Sequence, residues 1–261
     1  MAYGRDLGET GTVRGFVAIV VMLTAVRVQA QPAPSATTVL ANVERYYAGT
    51  KQLSTSFRQY VTNATFHTTS TADGSLWLLR PGSYRFDYLE KGKADVRITR
   101  SVIDDGTTRW VIDHDRRQMT KNPGPNPALT MALSFFEPAN LSTRFDVVLN
   151  PSSRFGRADS VVLELTPKQA SVGMQLTFVV STADWHVSES IVIDGNGNTD
   201  DFTFNATNLT RPVKATWFQA EPSGVLRHYR VVTPSVAPPT SPTPQPTNPT
   251  PPAARPAGPT P

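Results

Sequence analysis

The 261-residue chain contains no cysteine. Disulfides, thiol nucleophiles, thiolate metal sites and a lipid-bearing cysteine are therefore all excluded. Histidine is scarce too: His67, His114, His186 and His228 are the only four, and no two stand at the i, i+4 spacing of a zinc-binding helix. No serine occupies a Gly-x-Ser-x-Gly elbow, and there is no Gly-x-x-x-x-Gly-Lys loop. A strong charge of either sign is also missing. Of 25 basic and 21 acidic residues, three basic and two acidic ones fall in the first thirty positions, and the rest are interspersed. Nothing in that balance suits nucleic acid. Nor does any run beyond the first thirty residues approach the ~20 apolar residues of a membrane-spanning helix. The chain is thus expected to be no enzyme, to carry no cofactor or metal, and to bind no nucleic acid.

The two ends differ in composition from the middle. Arg5 and Arg14 precede an apolar run from Phe16 to Val26, and Val28-Gln29-Ala30 follows as a small-residue cleavage site. Residues 1–30 therefore read as a secretory signal peptide, and the mature chain as exported. From Pro234 to Pro261, 12 of 28 residues are proline and most others are Thr, Ser, Ala or Asn. Such a segment buries too little to offset its ordering entropy, so a disordered, polyproline-like tail is expected. Residues 31–233 remain as one domain of ordinary size.

That domain opens on a helical period. Val39, Val43, Tyr46 and Tyr47 share one face, with Ser35 placed to cap the start and Gly49 to end it. The period then changes to two. Leu53, Phe57 and Val61 would face a core, and similar alternation recurs at residues 74–79, 84–88, 96–103, 108–113, 117–120, 145–149, 161–165, 174–180, 186–193 and 201–205. Gly, Asp, Asn and Pro turns separate these runs. A meander of this kind predicts an antiparallel sandwich or barrel. One helical stretch interrupts it, with Pro127 at the first turn, Leu129, Leu133 and Phe136 at helical spacing, and Pro138 as a stop.

Two polar clusters invite a chemical reading. Asp113-His114-Asp115 follows a strand and precedes Arg116-Arg117, which predicts a solvated turn. Asp194 to Asp200 alternates oxygen-bearing residues as a calcium loop does. Thr199 stands sixth where such a loop needs Gly, however, and Asn205 stands twelfth where it needs Glu. A hairpin turn between two strands is the expectation.

Six short motifs occur in a familiar order. Gly74-Ser75-Leu76-Trp77 leads into Arg80-Pro81 and the aromatic run Tyr84, Phe86, Tyr88. Asp105-Gly106-Thr107-Thr108-Arg109-Trp110, Gln118, Leu163 to Lys168, Asp194 to Thr199 with Phe202 and Phe204, and Phe218 with Pro222 to Val225 then follow. Together they resemble the LolA family of outer-membrane lipoprotein carriers. The likeness runs from about Thr38 to Val225, and Arg211-Pro212-Val213-Lys214 departs from it near the last strand.

The resemblance implies a mainly β (α+β) fold: an unclosed antiparallel β-barrel of about 10–11 strands, with a helical lid over a hydrophobic cavity. It implies a periplasmic chaperone that carries lipoprotein acyl chains from an inner-membrane Lol ABC transporter to the outer-membrane acceptor LolB or its equivalent, acting as a monomer. Arg80 would latch the lid by hydrogen bonds to its carbonyls. Tyr84 would lie near the cavity mouth and serve cargo transfer, and Trp77, Phe86, Trp110, Leu133 and Phe136 would line the cavity or lid. The acceptor shares the fold but is normally itself lipid-anchored, which a chain without cysteine is not. A related barrel that carries or senses another lipid, phospholipid or glycolipid, is the alternative. All these readings expect a hydrophobic interior with room for a guest.

Overall fold

The computed structural model describes residues 34–92, 95–137, 141–169, 173–222 and 224–232. The predicted signal peptide and the Pro-rich tail lie outside the described residues, as does Pro138.

Helix α1, Ala36–Tyr47, forms where the helical period predicts it. The Ser35 hydroxyl accepts from the Thr38 N–H at 3.2 Å, and Gly49 takes the left-handed conformation just past the end. Val39, Leu40, Val43 and Tyr47 are the buried residues of the helix.

Among the described residues twelve strands follow in a single sheet: β1 (Gln52–Asn63), β2 (Thr68–Leu79), β3 (Ser83–Lys91), β4 (Val96–Asp104), β5 (Thr108–Asp113), β6 (Gln118–Pro123), β7 (Phe145–Leu149), β8 (Ser160–Pro167), β9 (Gln175–Ser181), β10 (Val187–Ile193), β11 (Thr199–Asn208) and β12 (Arg230–Val232). Their order is β12-β6-β5-β4-β3-β2-β1-β11-β10-β9-β8-β7. Neighbours are antiparallel except β12, which runs parallel to β6. The edges β7 and β12 do not pair, so the barrel is unclosed. The twelve strands exceed the expected ten or eleven by the three-residue β12. The expected hairpin at Asp194–Asn198 joins β10 to β11, with Asp194 carboxylate oxygens accepting from Asn196 and Asn198.

The interrupting segment is a broken chain of turns rather than one helix. It comprises α2 (Pro127–Ala132), a 3-10 turn at Ser134–Phe136 and a four-residue α3 (Leu141–Arg144). Asn126 caps α2 by accepting from the Ala128 and Leu129 N–H groups, with Pro127 at the first position.

Alternation along the strands sends side chains to two faces. On the inner face, Leu53, Phe57, Leu76, Leu78, Phe86, Phe178 and Phe202 join α1 and the α2–α3 segment in one continuous core. On the outer face, Ile103, Trp110, Ile112 and Met119 pack under the segment after β11, through Val213, Phe218 and Ala220. A smaller outer cluster joins Val162, Val179 and Ile191. Gly74 explains one motif glycine. A Cβ there would come within 2.4 Å of the Phe57 ring and 2.5 Å of the Asp87 carbonyl, so only glycine lets Phe57 lie across β2. Val61 departs from expectation: it lies on the same side as Phe57 but near the uncovered end of β1, where it is exposed.

Candidate lid latch and acyl-binding interior

α2, the 3-10 turn at Ser134–Phe136 and α3 pack over the inner face as a lid. Leu129, Met131, Leu133, Phe135 and Phe136 are all at least 92% buried. Phe135 meets Tyr47, Phe178 and Phe204 with ring centroids 5.1 to 5.8 Å apart. The interior is therefore filled by the protein's own side chains, many of them contributed by the lid. The expected vacant interior is instead largely packed, with the lid side chains against the inner face.

Several polar contacts hold the lid down. Arg80, in the turn between β2 and β3, is the most connected. Its Nε donates to the Phe136 carbonyl at 2.6 Å, and its Nη2 donates to the same oxygen. Its Nη1 donates to Thr50 O at 2.6 Å and Tyr47 O at 3.2 Å. The guanidinium thus bridges the end of α1 and the lid while stacking 4.5 Å from the centre of the Phe136 ring. Burial lowers its pKa and Glu137 opposes this, but an arginine stays charged at any ordinary pH. Elsewhere, buried Ser190 on β10 donates to Ala132 O at 2.7 Å, and Glu44 on α1 accepts from Leu141 N at 2.9 Å. Neither Ser190 nor Glu44 is visible as a lid contact in sequence, because each meets a partner far along the chain.

The predicted site residues fall into two groups. Arg80, Tyr84, Phe86, Leu133 and Phe136 converge on the inner face and lid. Trp77 and Trp110 do not, and their reading as cavity or lid residues is corrected. Each sits one residue out of phase with inner-face neighbours, Leu76 and Leu78 in one case and Val111 in the other. Both therefore belong to the outer cluster. Trp77 meets Trp217 edge to face with centroids 6.0 Å apart, and the Trp217 carbonyl accepts from Arg85.

The Asp113–Asp115 turn is only partly solvated. Asp113 pairs with Arg116 and Asp115 with Arg97 at the surface. His114 instead turns inward between Ser101, at 2.9 Å, and the Tyr229 hydroxyl, at 3.1 Å. Burial lowers its pKa, against the raising effect of Asp87. Ser101 donates to Asp87 at 2.6 Å and is wholly buried, so it presents no nucleophile to a substrate. Among the described residues no three His, Asp or Glu side chains gather as a metal site.

The profile of the outer membrane lipoprotein carrier protein LolA matches residues 48–221, about two thirds of the chain. The chain belongs to the LolA family. A relative, the outer-membrane lipoprotein carrier protein of Chromobacterium violaceum, is 32% identical over 117 residues, covering 42% of this chain and 53% of its own. The chain thus spans about half the length of that curated relative. The protein of the same description from Coxiella burnetii is 25% identical over 158 residues, 58% of this chain and 67% of its own. Among solved structures, a LolA superfamily protein from Nitrosomonas europaea aligns over 72% of this chain and 99% of its own, at 12% identity and a TM-score of 0.39.

Proposed function

We propose that this LolA-family chain is a periplasmic lipoprotein carrier. It would bind acyl chains inside the sheet in place of the lid and move lipoproteins from the inner to the outer membrane. The partners would be an inner-membrane ABC transporter that loads it and an outer-membrane acceptor that unloads it. The observation that carries this reading is the Arg80 fork, which fastens a lid whose own apolar side chains fill the inner face.

Exchange between lid and cargo is energetically balanced. Burying one large apolar side chain contributes about 1.5–3 kcal/mol, so five of them amount to about 7–15 kcal/mol. An acyl chain of about sixteen carbons gains about 12 kcal/mol at ~0.8 kcal/mol per methylene. A single acyl chain and the lid thus compete on nearly equal terms. A small bias from the latch then decides between holding and release, which keeps the interior from becoming a trap. The closed state also hides an apolar surface that would otherwise aggregate.

The test is to purify the protein from periplasm and identify what copurifies by mass spectrometry. Acylated proteins are expected. Recovery of phospholipid or glycolipid alone would replace the lipoprotein cargo by another lipid, and recovery of no lipid from wild type and lid-opened variants alike would end the carrier reading.

A further inference from the structure

The lid also meets the sheet at its β7 margin, where β7 starts and β8 ends. A groove of about 430 Å³ lies there, walled by Pro127 and Met131 of α2, Phe145 of β7 and Met174 just before β9. Its size is that of a small-ligand site. Met131 and Phe145 are 8% and 4% exposed and belong to the inner core, and Met174 packs against that core. The groove is therefore an apolar cleft at the lid's edge, backed by the interior. Methionine walls adapt readily to the shape of a guest.

The rim of the groove is cationic. Arg144, at the end of α3, and Lys168, just past β8, both line it. Phe145 pairs with Pro167 across β7 and β8, and the Lys168 N–H donates to the Arg144 carbonyl at 2.9 Å. The two cations thus stand opposite each other at the end of the ladder, where like charges are destabilising. Lys168 Nζ donates to the Ser142 carbonyl at 2.7 Å and lies 3.7 Å from Asp146, whose side chain is 74% exposed and offsets little. Arg144 stacks 5.3 Å from the centre of the Phe145 ring and forms no ion pair among the described residues. No carboxylate lines the groove among the described residues, and residues 138–140 and 170–172, adjacent in sequence, carry no charge.

Paired cations beside an apolar cleft complement an amphiphile with an anionic head. A soluble anion would leave the apolar wall uncovered, and a neutral acyl compound would leave the two cations opposed. We propose that this groove binds an anionic phospholipid, with its phosphate on Arg144 and Lys168 and the start of one acyl chain along Met131, Phe145 and Met174. The guanidinium fork suits phosphate oxygens, and the ammonium adds a point charge. This is a second ligand, at the edge of the lid, and it does not depend on which cargo the interior takes.

Isothermal titration of the full chain compares three probes: dihexanoylphosphatidylglycerol, dihexanoylglycerol, which lacks the phosphate, and glycerol 1-phosphate, which lacks the chains. The expected result is about tenfold tighter binding of the phospholipid than of either fragment, as two exposed charge contacts together give, with the preference shrinking in high salt. In the Arg144→Gln, Lys168→Gln double variant the preference over dihexanoylglycerol falls towards one, and in Arg144→Lys part of it remains. The double variant loses two opposed cations and should melt no lower than the parent, so a lost preference is not a lost fold. Equal binding of phospholipid and dihexanoylglycerol overturns the cationic rim, and equal binding of phospholipid and glycerol 1-phosphate overturns the acyl wall. A preference that survives in the double variant places the phosphate elsewhere and overturns the site. A preference seen only in Arg80→Leu assigns the phospholipid to the interior, which overturns the groove and leaves the carrier reading standing.

Discussion

On the proposed carrier reading, replacing Arg80 by leucine should favour holding of an acyl guest over its release. The side chain makes four N–H···O contacts to three carbonyls, two of them to Phe136 in the lid. A hydrogen bond to a charged group contributes about 1.5–3 kcal/mol. The guanidinium is only half-buried and its contacts share two acceptor regions, so about 3 kcal/mol for the set is a sober figure. That shifts the lid equilibrium about 100-fold towards open. Apparent affinity scales with the fraction of molecules competent to bind. Arg80→Leu should therefore bind a fluorescent acyl probe up to about 100-fold more tightly, until opening saturates, and hand it to acceptor vesicles correspondingly more slowly. Arg80→Lys should fall between, because an ammonium lacks the planar fork that reaches Phe136 and Thr50 together. Hydrogen exchange at Phe136 and Glu137, whose N–H groups bond to Leu133 O and Ser134 O, should speed up in parallel. Equal affinity, release and exchange in Arg80→Leu and parent would refute the latch.

Three further outcomes follow from particular residues. Gly74→Ala should cost about 3 kcal/mol in chemical denaturation, since the new Cβ meets backbone at Asp87 as well as the Phe57 ring, and an unchanged midpoint would contradict that packing. Trp77→Ala should cost about 3 kcal/mol by loosening the outer cluster while leaving acyl-probe affinity within a factor of about two, and a large loss of affinity would return Trp77 to the interior. Burial, and then the neighbouring Glu189, pushes the pKa of Asp201 up to about 7. A carboxyl raised in the folded state keeps its proton there while the unfolded chain has lost it, so this group makes stability fall as pH rises from about 4 to about 7. Asp201→Asn should flatten that slope and raise the thermal midpoint at pH 8, and an unaltered pH profile would count against the assignment.

The strands were legible because alternation is a local property, and the turn at Asp194–Asn198 carries its own chemistry. Which face is inner was not. Leu76-Trp77-Leu78-Leu79 is apolar at every position because both faces of β2 are covered, so period two disappears where it was needed to place Trp77. The cover on the outer face comes from Val213 to Tyr229, more than a hundred residues away, and no local pattern announces it. β12 is too short to show a period, and the first half of β2, from Thr68 to Asp73, has almost no apolar residue. Arg80 was found through the Arg-Pro motif, but its carbonyl partners carry no sequence signal at all. The polar partners of Ser190 and His114 lie on the lid and on a neighbouring strand, and only the tertiary fold brings them together.

The unpaired seam between β7 and β12 has a mechanical consequence. In a closed barrel the bore is set by strand number and stagger, and widening it means breaking a ladder. Here the ladder ends at two free margins, so the curl can relax like a split collar with every inter-strand hydrogen bond intact. A sleeve of that kind can change its girth without unfolding.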